Sequence, residues 1–174
     1  MTEVRKAKIE ELPAIGEVAR VVYTDTFGLH FTAEGLENFL AANFGLERLL
    51  AEYNEPGSQL YIAMEDGVAI GFLRMRPNRN MEIHQLFVHR DYHGKGVADR
   101  LMMEAFHYAR GSQWLWVAVW DGNLRAQRFY EKWGFKRFKQ HVYEVDGEKQ
   151  VDWLMRRACA DPGVGPASTR SEKK

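Results

Sequence analysis

The sequence predicts a mixed α/β domain, on three observations. Apolar residues recur at helical spacing through the first third, the period changes to two from Gln59, and the second half alternates strand, helix, strand and helix before a closing hairpin. That order calls for one parallel crossover, from a strand over residues 82–88 to one over Trp114–Trp120 through the intervening helix.

The elements follow in order. Leu12, Ile15, Ala19 and Val22 share a helical face, with Pro13 tolerated in the first turn. Thr32 is placed to N-cap a second helix bearing Leu36, Phe39 and Leu40, and Leu46, Leu49 and Leu50 suggest a short third one closed by Glu55-Pro56-Gly57. Residues 59–64 read as a strand, Asp66-Gly67 as a two-residue hairpin turn, and 68–76 as the return strand before Pro77-Asn78. Residues 82–88 turn apolar on both faces towards their end, as a central strand does. His93-Gly94-Lys95-Gly96 then leads into a helix carrying Val97, Leu101, Met102, Ala105 and Tyr108. In the next strand Trp114, Trp116, Ala118 and Trp120 alternate with Leu115, Val117 and Val119, so the tryptophans read as one packed sheet face. A helix over 123–133 stops at Gly134, placed as a C′ glycine, and 135–145 pairs with 150–156 around Asp146-Gly147. One domain therefore spans 1–158, and 159–174 form a disordered tail without apolar anchors.

Composition excludes several function classes. Of 174 residues 45% are hydrophobic and 13% aromatic, enough for a sizeable core. Lysine plus arginine number 24, as do aspartate plus glutamate, so the basic excess of a general nucleic-acid or anionic-membrane binder is missing. No apolar run approaches the ~20 residues of a membrane span, and the N-terminus is charged where a signal peptide is apolar. The single cysteine, Cys159, cannot form an internal disulfide, which predicts a reducing, cytoplasmic location. Of the six histidines only His89 and His93 stand at HxxxH spacing, in the turn before a helix and not on one, and no HExxH occurs, so no metal is expected.

The stretch from Val88 to Ala98 is the most informative. Gly94 and Gly96 let the backbone curl so that several N–H groups point one way, just where a helix begins. The unpaired amides and positive dipole end of a helix favour an anion there, most often a phosphate; the bland alternative is a glycine-rich turn with no ligand. A P-loop needs Ser or Thr after its Gly-Lys, but Gly96 is followed by Val97. A dinucleotide fingerprint needs a third Gly or Ala where Asp99 stands.

His93-Gly94-Lys95-Gly96-Val97-Ala98 resembles motif A of the GCN5-related N-acetyltransferases (GNAT), Gln/Arg-x-x-Gly-x-Gly/Ala after a central strand, with His93 where Gln or Arg is usual. Residues 120–135, from Trp120-Asp121-Gly122-Asn123 to Gly134-Phe135, resemble motif B with its N-x-x-A-x-x-F-Y-x-x-x-G-F core. The resemblance covers about Val4 to Met155. It implies a mostly antiparallel sheet with a central splayed parallel strand pair, flanked by helices. It also implies acetyl-CoA as co-substrate, with the main chain of Phe87 and Val88 and the turn His93, Gly94, Lys95, Gly96, Val97 and Ala98 binding it. LWVAVWDGNLRAQRFYEKWGFKRF, FHYARGSQ, TDTFG and NF further resemble the PaiA-type branch, which implies a polyamine such as spermidine or spermine as acceptor. By family analogy a homodimer is one assembly to test.

Acetyl transfer needs a neutral amine. An alkyl ammonium has a pKa of about 10.4, so deprotonation at pH 7 costs roughly 4.6 kcal/mol, and a base offsets part of that. Glu82, six residues before Val88, matches the family's water-linked glutamate; the alternatives are a cross-strand salt bridge for Glu82 and His84 as the base. Tyr130 resembles the family tyrosine facing the sulfur, whose phenol serves as general acid or hydrogen-bond donor to the leaving thiolate after direct attack, against a plain packing role beside Phe129. Asn123 is placed either to cap the following helix or to bond the pantetheine as well. Lys95, Arg125 and Arg128 either meet phosphates or stay solvated.

Glu34, Glu37, Glu47, Glu52 and Glu55 offer negative charge for a cationic acceptor, or are ordinary helix charges. Two other functions stay open: the same chemistry on a protein α-amine or another small amine, and a CoA-binding regulator without catalysis.

Overall fold

The computed structural model describes residues 1–145 and 147–159. They divide into two units, Met1–Pro77 with Ile83–Tyr108, and Asn78–Glu82 with the described residues from Ala109 onwards. The expected tail, apart from Cys159, and Asp146 of the last hairpin lie outside the described residues.

In the first unit, strand alternation sorts side chains onto two helical layers. The strands are β1 (Glu3–Lys6), β2 (Gln59–Glu65), β3 (Val68–Pro77) and β4 (Met81–Val88), in that spatial order, with β4 entering the unit at Ile83. β1 with β2 and β2 with β3 are antiparallel, in registers that set Val4 opposite Ala63 and Ile62 opposite Phe72. Leu60, Ile62 and Phe72 meet Leu12, Ile15 and Ala19 of α1 (Leu12–Phe27), Leu40 and Phe44 of α2 (Ala33–Phe44) and Leu49 of α3 (Leu46–Tyr53) in one buried cluster. α4 (Val97–Tyr108) buries Val97, Leu101, Met102 and Ala105 and packs on β2 and β3.

Local chemistry accounts for the boundaries. Thr32 caps α2, its Oγ1 accepting from the Gly35 amide at 3.0 Å. Asp66 and Gly67 both have positive φ, 50° and 79°, as a two-residue hairpin turn requires. α1 runs five residues past Val22 because Tyr23 and Phe27 are drawn into an aromatic cluster; the Tyr23 ring stacks on Phe39 at 4.6 Å. β1 is an addition to the expected elements. Three of its four residues are charged, so it has no apolar alternation; the ladder to β2 and a two-bonded Arg5–Glu11 pair (2.9 and 2.7 Å) hold it.

The second unit contains β5 (Trp114–Trp120), α5 (Leu124–Lys132), β6 (Lys136–Val145) and β7 (Glu148–Ala158), with β7 antiparallel to both β5 and β6. Leu115, Val117 and Val119 are buried with Met155, Trp133 and Phe135. The tryptophans of β5 are half-buried rather than sealed, and side-chain contacts pin them. Trp116 Nε1 donates to Asn78 O at 2.8 Å, Trp120 Nε1 donates to Gln150 Oε1 at 2.9 Å, and the Arg156 guanidinium lies 4.1 Å over Trp114. β6 is an exposed edge whose lysines 136 and 139 discourage further strand pairing. Cys159 lies in a turn, its amide donating to Gln113 O at 3.1 Å.

Candidate active site

The glycine turn belongs to the first unit. Gly94 and Gly96 have φ of +73° and +78°, a conformation that L side chains rarely adopt. A Cβ built at either meets nothing within 4 Å, so glycine is required there for its backbone and not for lack of room. Behind the turn the twelve-residue helix α4 begins at Val97, with its first amides left over by the helical pattern. Val97 is buried and Ala98 half-buried, so both can serve a ligand only through the main chain or a methyl edge. Open space, curled amides and a helix start fit a diphosphate.

His93 has a structural task that its position in the motif did not predict. Its Nε2 lies 2.9 Å from Val88 O; a carbonyl only accepts, so Nε2 carries the proton and ties the turn back to the last residue of β4. Lys95 Nζ lies over the Tyr92 ring at 4.9 Å, so its charge stands beside the turn and not inside it. Phe87 turns its ring to Phe72 and Phe44, leaving its main chain as the part that could meet a ligand.

Glu82 and Tyr130 both belong to the second unit. Glu82 is buried, and its Oε2 accepts from Asn78 Nδ2 at 3.0 Å. Asn78 went unnoticed because Pro77-Asn78 reads as a turn; the signal is its place four residues before Glu82. His84 is half-buried two residues further on.

Tyr130 is buried between Phe129 and Phe135, each ring at 5.3 Å. Burial pushes its phenol well above the ordinary tyrosine value, so the group keeps its proton and is able to donate. Asn123 caps α5, its Oδ1 accepting from the Ala126 amide at 3.1 Å, which leaves only its Nδ2 for a ligand. Gly134, φ +84°, ends the helix while the Phe135 amide bonds Tyr130 O at 3.0 Å, as expected of a C′ glycine.

Gln127 is the largest omission from the sequence reading. It is buried, its Nε2 donates to Trp120 O and Asp121 O (3.1 and 2.7 Å), and its Oε1 accepts from Arg137 Nη2 at 2.6 Å. The available signal was a polar letter three residues before Tyr130, on the inward stripe of α5. Arg125 is exposed on α5, and partial desolvation of its guanidinium lowers its pKa. Among the described residues no group of three His, Cys, Asp or Glu side chains could hold a metal, and no helix is long and apolar enough to cross a membrane.

The profile of the acetyltransferase (GNAT) family matches residues 24–135. An uncharacterized N-acetyltransferase from the pepI 3′ region of Lactobacillus delbrueckii subsp. lactis is 29% identical over 91% of this chain and 99% of its own length. A spermidine N(1)-acetyltransferase of Thermoplasma acidophilum is 29% identical over 89% of this chain and 96% of its own. The crystal structure of a PaiA N-acetyltransferase from Thermoplasma acidophilum, in complex with coenzyme A, superposes with a TM-score of 0.75 at 26% identity, covering 91% of this chain and 99% of that one. This likeness bears out the expected mixed α/β fold class.

Proposed function

Since the chain belongs to the acetyltransferase (GNAT) family and is an acetyl-CoA-dependent N-acetyltransferase, we propose that it acetylates a primary amine held beside Glu82 and Tyr130, with a polyamine as the acceptor class. The observation behind the reading is the open, positive-φ turn at Gly94 and Gly96 before α4, whose amides suit the diphosphate of coenzyme A.

In this reading each residue has one task. Glu82, held by Asn78, takes the proton that the attacking ammonium must lose, directly or through one water. The main chain of Phe87 and Val88 offers amides to the charge growing on the carbonyl oxygen as nitrogen bonds to its carbon. The carbon–sulfur bond breaks with its electron pair on sulfur, the Tyr130 hydroxyl donates a hydrogen bond to that thiolate, and the proton still held by the acylated nitrogen passes to the thiolate to give the free thiol. A thiol has a pKa of about 8.5, below that of any buried phenol, so Tyr130 stabilises the leaving group without giving up its proton outright. His93 keeps the turn in shape, and Asn123 sets the start of α5.

The polyamine assignment is supported by the spermidine-acetylating relative. The acidic residues of α2, α3 and the turn after α3 add little to it, because arginines already occupy three of them. Arg20 grips Glu37 at 2.7 Å, Arg48 grips Glu52 at 2.8 Å, and Arg74 grips Glu55 at 2.5 Å. We assign the protein to the cytoplasm on its one unpaired cysteine.

Thiol release from acetyl-CoA tests the reading with spermidine, spermine, a monoamine and a peptide bearing a free N-terminus. Faster turnover with the polyamines than with the peptide supports it. Turnover with the peptide alone removes the polyamine assignment, and tight acetyl-CoA binding with no amine-dependent thiol release removes catalysis.

A further inference from the structure

A cavity of about 200 Å³ opens inside the first unit between α1, α3 and strands β2 to β4. One wall is apolar, made by Ile15, Leu49, Leu60 and Phe72. The other carries Glu52, Arg74 and Gln85, and four of their buried polar atoms have no hydrogen-bond partner: Glu52 Oε2, Arg74 Nε and Nη1, and Gln85 Oε1. Arg74 is buried on β3, with its Nη2 on Glu55; its Nη1 comes within 3.2 Å of Glu52 Oε1 but is not aligned to bond it. Glu52 spends the same Oε1 on Arg48, which leaves Oε2 over.

Native proteins rarely leave buried polar atoms unmatched, and four in one wall of one cavity point to a missing partner. Its chemistry can be read from the atoms. Two are guanidinium N–H donors that ask for an acceptor, and two are oxygens that ask for a donor. Arg48 and Arg74 balance Glu52 and Glu55, so the surroundings select no net charge. Burial depresses the Arg74 pKa, with Glu52 and Glu55 opposing the shift. In size the cavity exceeds an engineered 150 Å³ cavity that admits benzene (about six heavy atoms) and falls short of a drug-sized pocket.

We propose that this cavity binds a small zwitterion, an α-amino acid with an aliphatic side chain. The carboxylate lies on Arg74 Nε and Nη1, the ammonium on Glu52 Oε2 and Gln85 Oε1, and the side chain against Leu49, Leu60 and Phe72. A polycation finds no such match, because it would leave the arginine donors unmet. The site is complete within the first unit and does not depend on acetyl transfer.

Calorimetric titration of the full chain without coenzyme A tests this, using L-leucine, 3-methylbutylamine (ammonium only), 4-methylpentanoate (carboxylate only) and spermidine. L-Leucine should bind at one site per chain, at least about tenfold tighter than each of the others, since every single-function compound leaves half of the polar wall unmet. Gln85→Met, which keeps the volume and removes the oxygen, should weaken L-leucine by about fivefold or more without moving the unfolding midpoint. Arg74→Lys, which keeps the charge and loses the fork, should weaken it further. The proposal is overturned by no L-leucine binding, by equal binding of 3-methylbutylamine or spermidine, or by a Gln85→Met protein that binds L-leucine unchanged. Since the titration contains no acetyl donor, its failure and a failure of thiol release are separate results.

Discussion

The glycine turn of the first unit and the β5–α5 corner of the second are built on opposite terms. At Gly94 and Gly96 a Cβ would meet nothing, and glycine is needed only for a backbone conformation. At Gly122 a Cβ would sit 2.3 Å from the Trp120 ring, so glycine is needed for space. The turn exposes main chain to a ligand; the corner buries side chains, with Gln127, Tyr130 and Trp133 locked around it. A main-chain site tolerates changes of side chain that a packed corner does not. The bond of His93 to Val88 O shapes the turn, so under the proposed reading the amides, and not the first side chain of the motif, meet the diphosphate.

Five substitutions or conditions sharpen that contrast. The largest effect is expected from Tyr130→Phe, which keeps the packing and removes the donor: turnover should fall by about 10²-fold with little change in acetyl-CoA affinity, measured as kcat against KM. An unchanged kcat would reduce Tyr130 to a core residue. Gln127→Leu breaks bonds to two carbonyls and to Arg137, and should cost about 2–3 kcal/mol of stability by urea unfolding.

The glycines themselves come next. Gly96→Ala should weaken coenzyme A by about tenfold, through roughly 1–2 kcal/mol of backbone strain. Gly122→Ala should lower stability by about 1–3 kcal/mol through displacement of Trp120. If Gly96→Ala binds coenzyme A normally, the conformation of the turn is not what binds it.

The smallest effect belongs to β1. The Arg5 guanidinium holds the Glu11 carboxyl down at about 2, below its ordinary 4.5. A depressed carboxyl adds stability that is complete above its unfolded value and drains away as pH falls towards the folded one. The wild type should therefore exceed Glu11→Gln in urea midpoint at pH 6, and the gap should narrow steadily from pH 4.5 to pH 2.5.

Much of this architecture was legible because local and global signals agree. Thr32, Asp66-Gly67 and Gly134 each act through bonds within a few residues, and each stands where its chemistry placed it. The strand Trp114–Trp120 was readable to the residue, since its alternation of large side chains has no helical equivalent. β1 was not readable, because a short charged edge strand owes its existence to β2, 59 residues away at the Val4–Ala63 pair. The polar groups of the candidate sites were hidden for the same reason. Gln127 and Asn78 are unremarkable letters until the carbonyls and the carboxylate they bond are in view, and the cavity atoms of Glu52, Arg74 and Gln85 come from three separate elements.

The most direct measurement of the central idea, that main-chain amides of residues 94–98 grip a diphosphate, is a backbone amide NMR titration with coenzyme A and, separately, with pantetheine. The account predicts large shifts at Gly94, Lys95, Gly96, Val97 and Ala98 with coenzyme A and almost none there with pantetheine, which has no diphosphate. Equal shifts from both compounds, or still amides under saturating coenzyme A, would contradict it.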